Sequence, residues 1–214
     1  MLRLPFGGEA DYARAAPRVA RHLERGGVIA YPTETVYGFG GALEDVALER
    51  VARLKGREMV KPFLLLVLDG SQAPGLEWTA DARRLADAFW PGPLTLALRA
   101  TVPYPPRVVG PGGTVAVRAT PHAGVRAILR AFGGPITSTS VNLPGERPAS
   151  DVERVVRVAE EAGAGEELWV LDGGRLPDSP PSTIVDCSRT PPRVLRRGAI
   201  SMNALRGVVD GIHE

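Results

Sequence analysis

The sequence has a single cysteine, Cys187, and no apolar run near the roughly 20 residues that a membrane-spanning helix needs. One thiol cannot form an internal disulfide, which is typical of proteins from a reducing compartment. The N-terminus lacks the basic start and the following apolar stretch that indicate a signal peptide. The three histidines, His22, His122 and His213, are too scattered to form a metal-ligand cluster. We therefore expect a cytoplasmic protein with no membrane segment.

Lysine and the side-chain amides are scarce. Of the 26 basic residues, 24 are arginine, and Lys55 and Lys61 are the only lysines. Asparagine occurs twice and glutamine once, a bias typical of a GC-rich genome and, for the amides, of thermophiles. Two explanations of the lysine pair stay open. It has arisen by chance, or this segment needs a compact ammonium group that a planar guanidinium cannot replace.

The common nucleotide and nucleophile motifs are absent. The chain has no G-x-x-x-x-G-K-[ST] loop, no G-x-G-x-x-G opening a helix and no G-x-S-x-G elbow. Its formal net charge of +2 over 214 residues is not that of a strongly basic nucleic-acid-binding protein. A nucleotide site in this chain must therefore follow another scheme.

Helical and strand patterns alternate along the chain, which indicates an α/β protein with a twisted, mixed sheet. Predicted helices cover residues 16–23, 47–54, 79–89 and 125–132, and a capping box of Ser150 and Glu153 starts another over 152–159. Predicted strands cover 28–31, 63–68, 94–98, 115–118, 136–140, 168–171, 183–185 and 194–195. We expect one domain over 1–214 with a core over about 16–200.

Polar side chains cluster where the predicted strands and helices end. The groups are Tyr31–Gly38, Lys55–Arg57 with Lys61, Arg118, Ser138–Asn142, Ser182–Thr183 and Arg196–Gly198. Each alone fits an ordinary turn, a capped helix or a solvated edge. Together they supply cations, hydroxyls and one amide without a nucleophile or a metal cage. That inventory suits a polyphosphate and a small polar molecule bound side by side, with catalysis by positioning and charge neutralisation.

Seven segments resemble, in order, the motifs of the YrdC/Sua5 family, the threonylcarbamoyl-adenylate synthases. They are Ile29–Gly38, Lys55-Gly56-Arg57 with Lys61-Pro62 after it, Phe89–Thr95, Val115–Arg118, Ser140-Val141-Asn142, Ser182–Asp186 and Leu195–Gly198. One such motif would be weak evidence, but seven in order over most of the chain are specific.

The resemblance implies an enzyme of the nucleotidyltransferase class and a positively charged cleft. It would condense L-threonine, bicarbonate or CO2 and ATP to threonylcarbamoyl-AMP and pyrophosphate, the first step towards N6-threonylcarbamoyladenosine at position 37 of tRNA. By matched position, the ATP site would contain Lys55, Arg57, Lys61, Ser140, Asn142 and Arg196, with Lys55 and Arg57 stabilising charge. The threonine site would contain Thr33, Thr35, Arg118, Ser138 and Ser182.

The resemblance also implies partners. Mg²⁺ is expected on the phosphates of ATP, without a metal site built by the protein. The adenylate would pass to a tRNA threonylcarbamoyl transferase complex, and tRNA itself would bind weakly.

The chain departs from the family pattern at two positions. Leu66 stands where some members carry a histidine that contacts threonine, and Arg197 stands where proline is frequent. The chain ends at Glu214, which indicates the short, single-domain type. Two rival interpretations are an RNA-binding or ribosome-associated module and a domain related to the carbamoyltransferases of hydrogenase maturation. The weak net charge argues against the first, and the lone cysteine argues against the second.

Overall fold

The computed structural model describes residues 1–56 and 61–214, which form eleven strands and six helices. The strands are β1 (Leu2–Pro5), β2 (Val28–Pro32), β3 (Tyr37–Gly41), β4 (Leu64–Val67), β5 (Leu94–Arg99), β6 (Val109–Gly110), β7 (Thr114–Ala119), β8 (Ile136–Ser140), β9 (Leu168–Asp172), β10 (Thr183–Asp186) and β11 (Arg193–Arg196). The helices are α1 (Glu9–Glu24), α2 (Asp45–Leu54), α3 (Ala80–Phe89), α4 (Ala123–Phe132), α5 (Val152–Glu161) and α6 (Met202–Arg206). None of these helices has the length and apolarity to cross a membrane.

The strands form one mixed sheet in the order β1-β9-β2-β3-β8-β4-β7-β5-β10-β11, with β6 beside β7. The pairs β1–β9, β2–β9, β4–β7 and β5–β10 are parallel, and the others are antiparallel. The α/β class with a mixed sheet is therefore confirmed. The sheet already begins at Leu2, upstream of the core predicted over 16–200.

Helices cover both faces of the sheet. On one face α1 and α4 pack over a core that includes Val19, Leu23, Ile29 and Ile128. On the other face a larger core includes side chains of α2, α3, α5 and α6. Strands buried on both faces read as continuous apolar runs, as the segment 63–68 does.

Several sequence predictions need correction at element boundaries. The Ser150–Glu153 capping box is wrong, because Asp151 is the N-cap of α5 and its Oδ1 accepts from the Arg154 amide at 2.9 Å. The first helix starts at Glu9 and carries Pro17 inside it. Strand β3 was missed because its sequence, YGFGG, is rich in glycine, which has low strand propensity.

Strand β8 joins the two halves of the sheet, because it lies between β3 and β4 and is antiparallel to both. Side chains reinforce this junction. The Thr137 hydroxyl accepts from the Gly41 amide at 2.9 Å and donates to the Gly41 carbonyl at 3.1 Å. The Tyr31 hydroxyl donates to the Thr137 carbonyl at 3.1 Å. Gly40 permits this close approach, since a Cβ there would lie 1.9 Å from the Thr137 carbonyl oxygen.

Gly40→Ala should therefore destabilise the fold by about 3 kcal/mol or more, because the methyl group would separate β3 from β8. Urea denaturation measures this loss. Gly134→Ala is the matched control, since the nearest atom to its added Cβ would be 3.5 Å away, on the Phe132 side chain. The control should stay within about 0.5 kcal/mol of the unsubstituted protein. Equal stability of both variants would contradict the close approach.

Candidate functional site

A cleft of about 530 Å³ lies over the middle of the sheet, on the face where the ends of β3, β7, β8 and β11 contribute side chains. Every predicted site residue that the structure describes lines it, namely Thr33, Thr35, Lys55, Lys61, Arg118, Ser138, Ser140, Asn142, Ser182 and Arg196. Arg57, the remaining predicted residue, lies outside the described residues. Segments far apart in sequence thus converge on one space.

Lys55 connects the end of α2 to the end of β8. Its Nζ donates to the Ser140 carbonyl at 2.6 Å, to the Asn142 carbonyl at 3.1 Å and to Asn142 Oδ1 at 2.8 Å. The Ser140 hydroxyl also donates to Asn142 Oδ1, at 2.6 Å. The ammonium therefore organises the segment after β8 as well as placing a positive charge in the cleft. A lysine so held is half-buried and not a simple surface charge.

Two arginines enter the cleft from different strands. Arg118, in β7, is 4% exposed, and its Nη2 lies 2.7 Å from Glu34 Oε1. Arg196, at the end of β11, donates from Nε and Nη2 to the Ser182 carbonyl at 3.1 and 2.8 Å, and from Nη2 to Ser182 Oγ at 2.9 Å. Burial, and then the nearby charge of Arg118, lower the pKa of Arg196. The two guanidinium groups therefore line the same cleft and lie near enough for the charge of one to affect the other.

The Thr33 hydroxyl organises the turn between β2 and β3. Its Oγ1 donates to the Val36 carbonyl at 2.7 Å and accepts from the amides of Thr35 and Val36, both at 3.2 Å. It also lies 3.0 Å from Thr35 Oγ1. Because these contacts already use the Thr33 hydroxyl, Thr35 is the better placed of the two to bind a ligand.

Sequence reasoning missed two polar residues at this site. Thr95 lines the cleft, and its hydroxyl lies 2.9 Å from Ser182 Oγ. Period-two alternation in β5 could have found it, because Leu94 and Leu96 belong to the core on the opposite face. Glu34 pairs with Arg118 across a sequence separation that no local pattern reveals.

The two departures from the family pattern lie away from the cleft lining. Leu66 is fully buried in the core that α1 and α4 cover. It therefore does not take the place of a side chain that contacts a ligand. Arg197 pairs with Glu214 through two contacts of 2.6 Å, on the exposed side of the turn.

A second cavity of about 730 Å³ lies beside α3 and is larger than the cleft. Trp78, Trp90 and Pro91 line part of it, so the tryptophan-proline-glycine turn faces this cavity. None of the predicted site residues lines it. We assign the chemistry to the smaller cleft, because convergent polar groups matter more than volume.

The chain is similar to known proteins of one family. The Sua5/YciO/YrdC family model, described as "Telomere recombination", matches residues 21–198. A threonylcarbamoyl-AMP synthase of Thiobacillus denitrificans is 37% identical over 80% of this chain and 90% of its own. One of Pyrococcus abyssi is 32% identical over 90% of this chain and 56% of its own. The crystal structure of Pyrococcus abyssi Sua5 complexed with L-threonine superposes with a TM-score of 0.88 at 30% identity, covering 100% of this chain and 63% of the other. This chain thus spans less than two thirds of the length of the Pyrococcus protein.

The contacts of Lys55 predict different stability effects for the two lysines. Lys55→Met should lower the free energy of unfolding by about 1–3 kcal/mol, because charge-assisted bonds to the Ser140–Asn142 segment are lost. Lys61 is exposed, so Lys61→Met should change stability by no more than about 0.5 kcal/mol. Chemical denaturation of the two variants in parallel measures both values. A Lys55→Met protein as stable as Lys61→Met would contradict the anchoring role.

Proposed function

The chain belongs to the Sua5/YciO/YrdC family, and from this premise we propose that it is a threonylcarbamoyl-AMP synthase. The reaction would use L-threonine, bicarbonate or CO2, and ATP, and it would release pyrophosphate. The observation that carries the proposal is the convergence of cations and hydroxyls on one cleft. This arrangement supports two ligands bound next to each other better than it supports an RNA surface, which would need exposed aromatic side chains among the cations.

The ATP side of the cleft is proposed at the lysines and the end of β8. Four cationic side chains, Lys55, Lys61, Arg118 and Arg196, line the cleft, and no carboxylate does among the described lining residues. This lining supports a positively charged cleft that attracts a polyphosphate. Ser140 and Asn142 would add neutral hydrogen bonds, and Arg57 is proposed here from its motif alone.

The threonine side is proposed around Arg118. Its guanidinium would bind the substrate carboxylate, and the hydroxyls of Thr35, Ser138 and Ser182 lie on the same cleft to read the substrate's own hydroxyl. Thr33 would contribute mainly by shaping the turn. Because Arg196 donates to Ser182, the threonine and nucleotide sides meet at that pair.

The chemistry needs positioning more than a reactive side chain. A carbamate oxygen, formed from threonine's amine and CO2 or bicarbonate, would attack the α-phosphorus of ATP, and the bond to the pyrophosphate oxygen would break. Lys55, Lys61 and Arg196 would offset the charge that develops on the phosphates. Cations and hydroxyls do not make a divalent-cation site, so Mg²⁺ would be held by the oxygens of ATP itself. Hand-over of the adenylate to a tRNA-modifying complex in the cytoplasm is part of the same proposal.

Pyrophosphate release should depend on both threonine and bicarbonate, and it should discriminate against valine. A site that hydrogen-bonds the threonine hydroxyl leaves buried polar groups unpaired when a methyl group replaces it. We expect valine to be a much poorer substrate than threonine, with serine between them, in a coupled pyrophosphate assay. Release that ignores threonine would contradict the proposed function. Equal rates with valine would contradict only the hydroxyl-reading pocket.

Arg118→Lys should separate binding from chemistry. The threonine carboxylate does not react. Loss of the guanidinium contact with it should therefore raise the KM for threonine more than it lowers kcat. We expect a cost of about 1.5–3 kcal/mol, since an ammonium cannot reproduce the two-bond fork. Steady-state kinetics with each substrate varied in turn measures the effect. Arg107→Lys, in an exposed ion pair with Glu49, is the matched control. A rise in the ATP constant alone would assign Arg118 to the nucleotide.

A further inference from the structure

Glu34 is a charged residue beside Arg118 to which none of the proposed binding roles applies. It lies in the turn between β2 and β3, with Oε1 2.7 Å from Arg118 Nη2. Arg118 lines the cleft and Glu34 does not. The carboxylate therefore lies behind the guanidinium, outside the space that a substrate would occupy.

Thr120 fixes the other oxygen of this carboxylate. The Thr120 hydroxyl, which is fully buried, donates to Glu34 Oε2 at 2.8 Å. Its oxygen also accepts from the His122 amide at 3.2 Å, at the N-cap of α4. A chain of contacts thus runs from the start of α4 through Thr120 and Glu34 to Arg118.

The environment of Arg118 makes this support necessary. A guanidinium that is 4% exposed is costly unless an opposite charge compensates it, and Arg196 adds a second positive charge nearby. Glu34 supplies the opposite charge. Yet Arg118 Nε and Nη2, and Glu34 Oε1, are buried without a well-aligned hydrogen bond to any residue that the structure describes. Glu34 therefore compensates the charge of the guanidinium, through an Nη2 atom that is itself buried.

We propose that Glu34, oriented by Thr120, is a positioning residue that holds Arg118 ready to bind the carboxylate of the amino-acid substrate. The inference rests on the proposed function, because it assigns that carboxylate to Arg118. Holding the guanidinium in place removes the need to order it when substrate binds. Loss of the Glu34 carboxylate weakens threonine binding and leaves ATP binding and the reaction step nearly unchanged.

The test is a double-mutant cycle on the threonine KM, with Glu34→Ala and Thr120→Val as the two single changes. Thr120→Val should raise the threonine KM about five- to tenfold, the effect expected from one buried hydrogen bond. Glu34→Ala should raise it more, and the double variant should match Glu34→Ala, because Thr120 acts through Glu34. Thr120→Ser keeps the hydroxyl and should restore a threonine KM near the unsubstituted value. The ATP KM and kcat should change less than about twofold in each variant.

A matched control removes a carboxylate from another arginine pair. Glu49→Ala breaks the exposed contact with Arg107 and should leave the threonine KM unchanged. Should Glu34→Ala fail to fold because it leaves a buried charge uncompensated, Glu34→Gln replaces it in the cycle. The valine and serine variants of Thr120 then give the rescue comparison.

The outcomes separate this inference from the proposed function. Threonine-dependent pyrophosphate release by the unsubstituted protein, with an unchanged threonine KM in both single variants, would overturn the positioning role alone. Additive effects of the two changes, or parallel increases in the ATP and threonine constants, would overturn it as well. No threonine-dependent release by the unsubstituted protein would instead count against the proposed function. Calorimetric titration of the unsubstituted protein and Thr120→Val with L-threonine would then decide the binding claim directly, and equal affinities would overturn it.

Discussion

The insertion of β8 between β3 and β4 is the constraint on which the rest of the structure depends. Those two strands come from the first third of the chain, whereas β8 starts at Ile136. Strand β8 pairs antiparallel with both of them, and this pairing joins the two halves into one sheet. The close approach of Gly40 to Thr137 sets the distance between β3 and β8. Ser138 and Ser140 of β8 therefore reach the cleft at a fixed position.

The cleft follows from this junction. Lys55 at the end of α2 binds the segment that follows β8, so the lysine motif and the serine-asparagine motif form one structural unit. Arg118 comes from β7, which pairs with β4 on the far side of the junction. Both halves of the sheet and the junction strand therefore supply the proposed nucleotide and amino-acid contacts, and the contact of Arg196 with Ser182 links the two sides. Four of the ten described site residues, Arg118, Ser138, Ser140 and Arg196, lie in strands, and the other six lie in segments that flank strands or helices.

The sequence predicted which residues line the cleft better than it predicted the fold details. Motifs such as Ser140-Val141-Asn142 match the family one position at a time, so the cleft lining could be foreseen. The glycine-rich strand β3 could not, because its stability comes from pairing on both sides and not from local propensity. The Glu34–Arg118 pair was equally hidden, since only the fold brings the two residues together. Thr33 shows a third case, where the motif placed the residue correctly but its hydroxyl mainly holds the turn.

The central claim is that one cleft joins threonine, inorganic carbon and the adenylate of ATP. The most direct measurement is mass spectrometry of the small molecules formed when the protein is incubated with ATP, L-threonine and carbon-13-labelled bicarbonate. The account predicts an adenylate that contains both threonine and the labelled carbon. Formation of AMP or ADP without any adenylate that carries threonine and the label would contradict it.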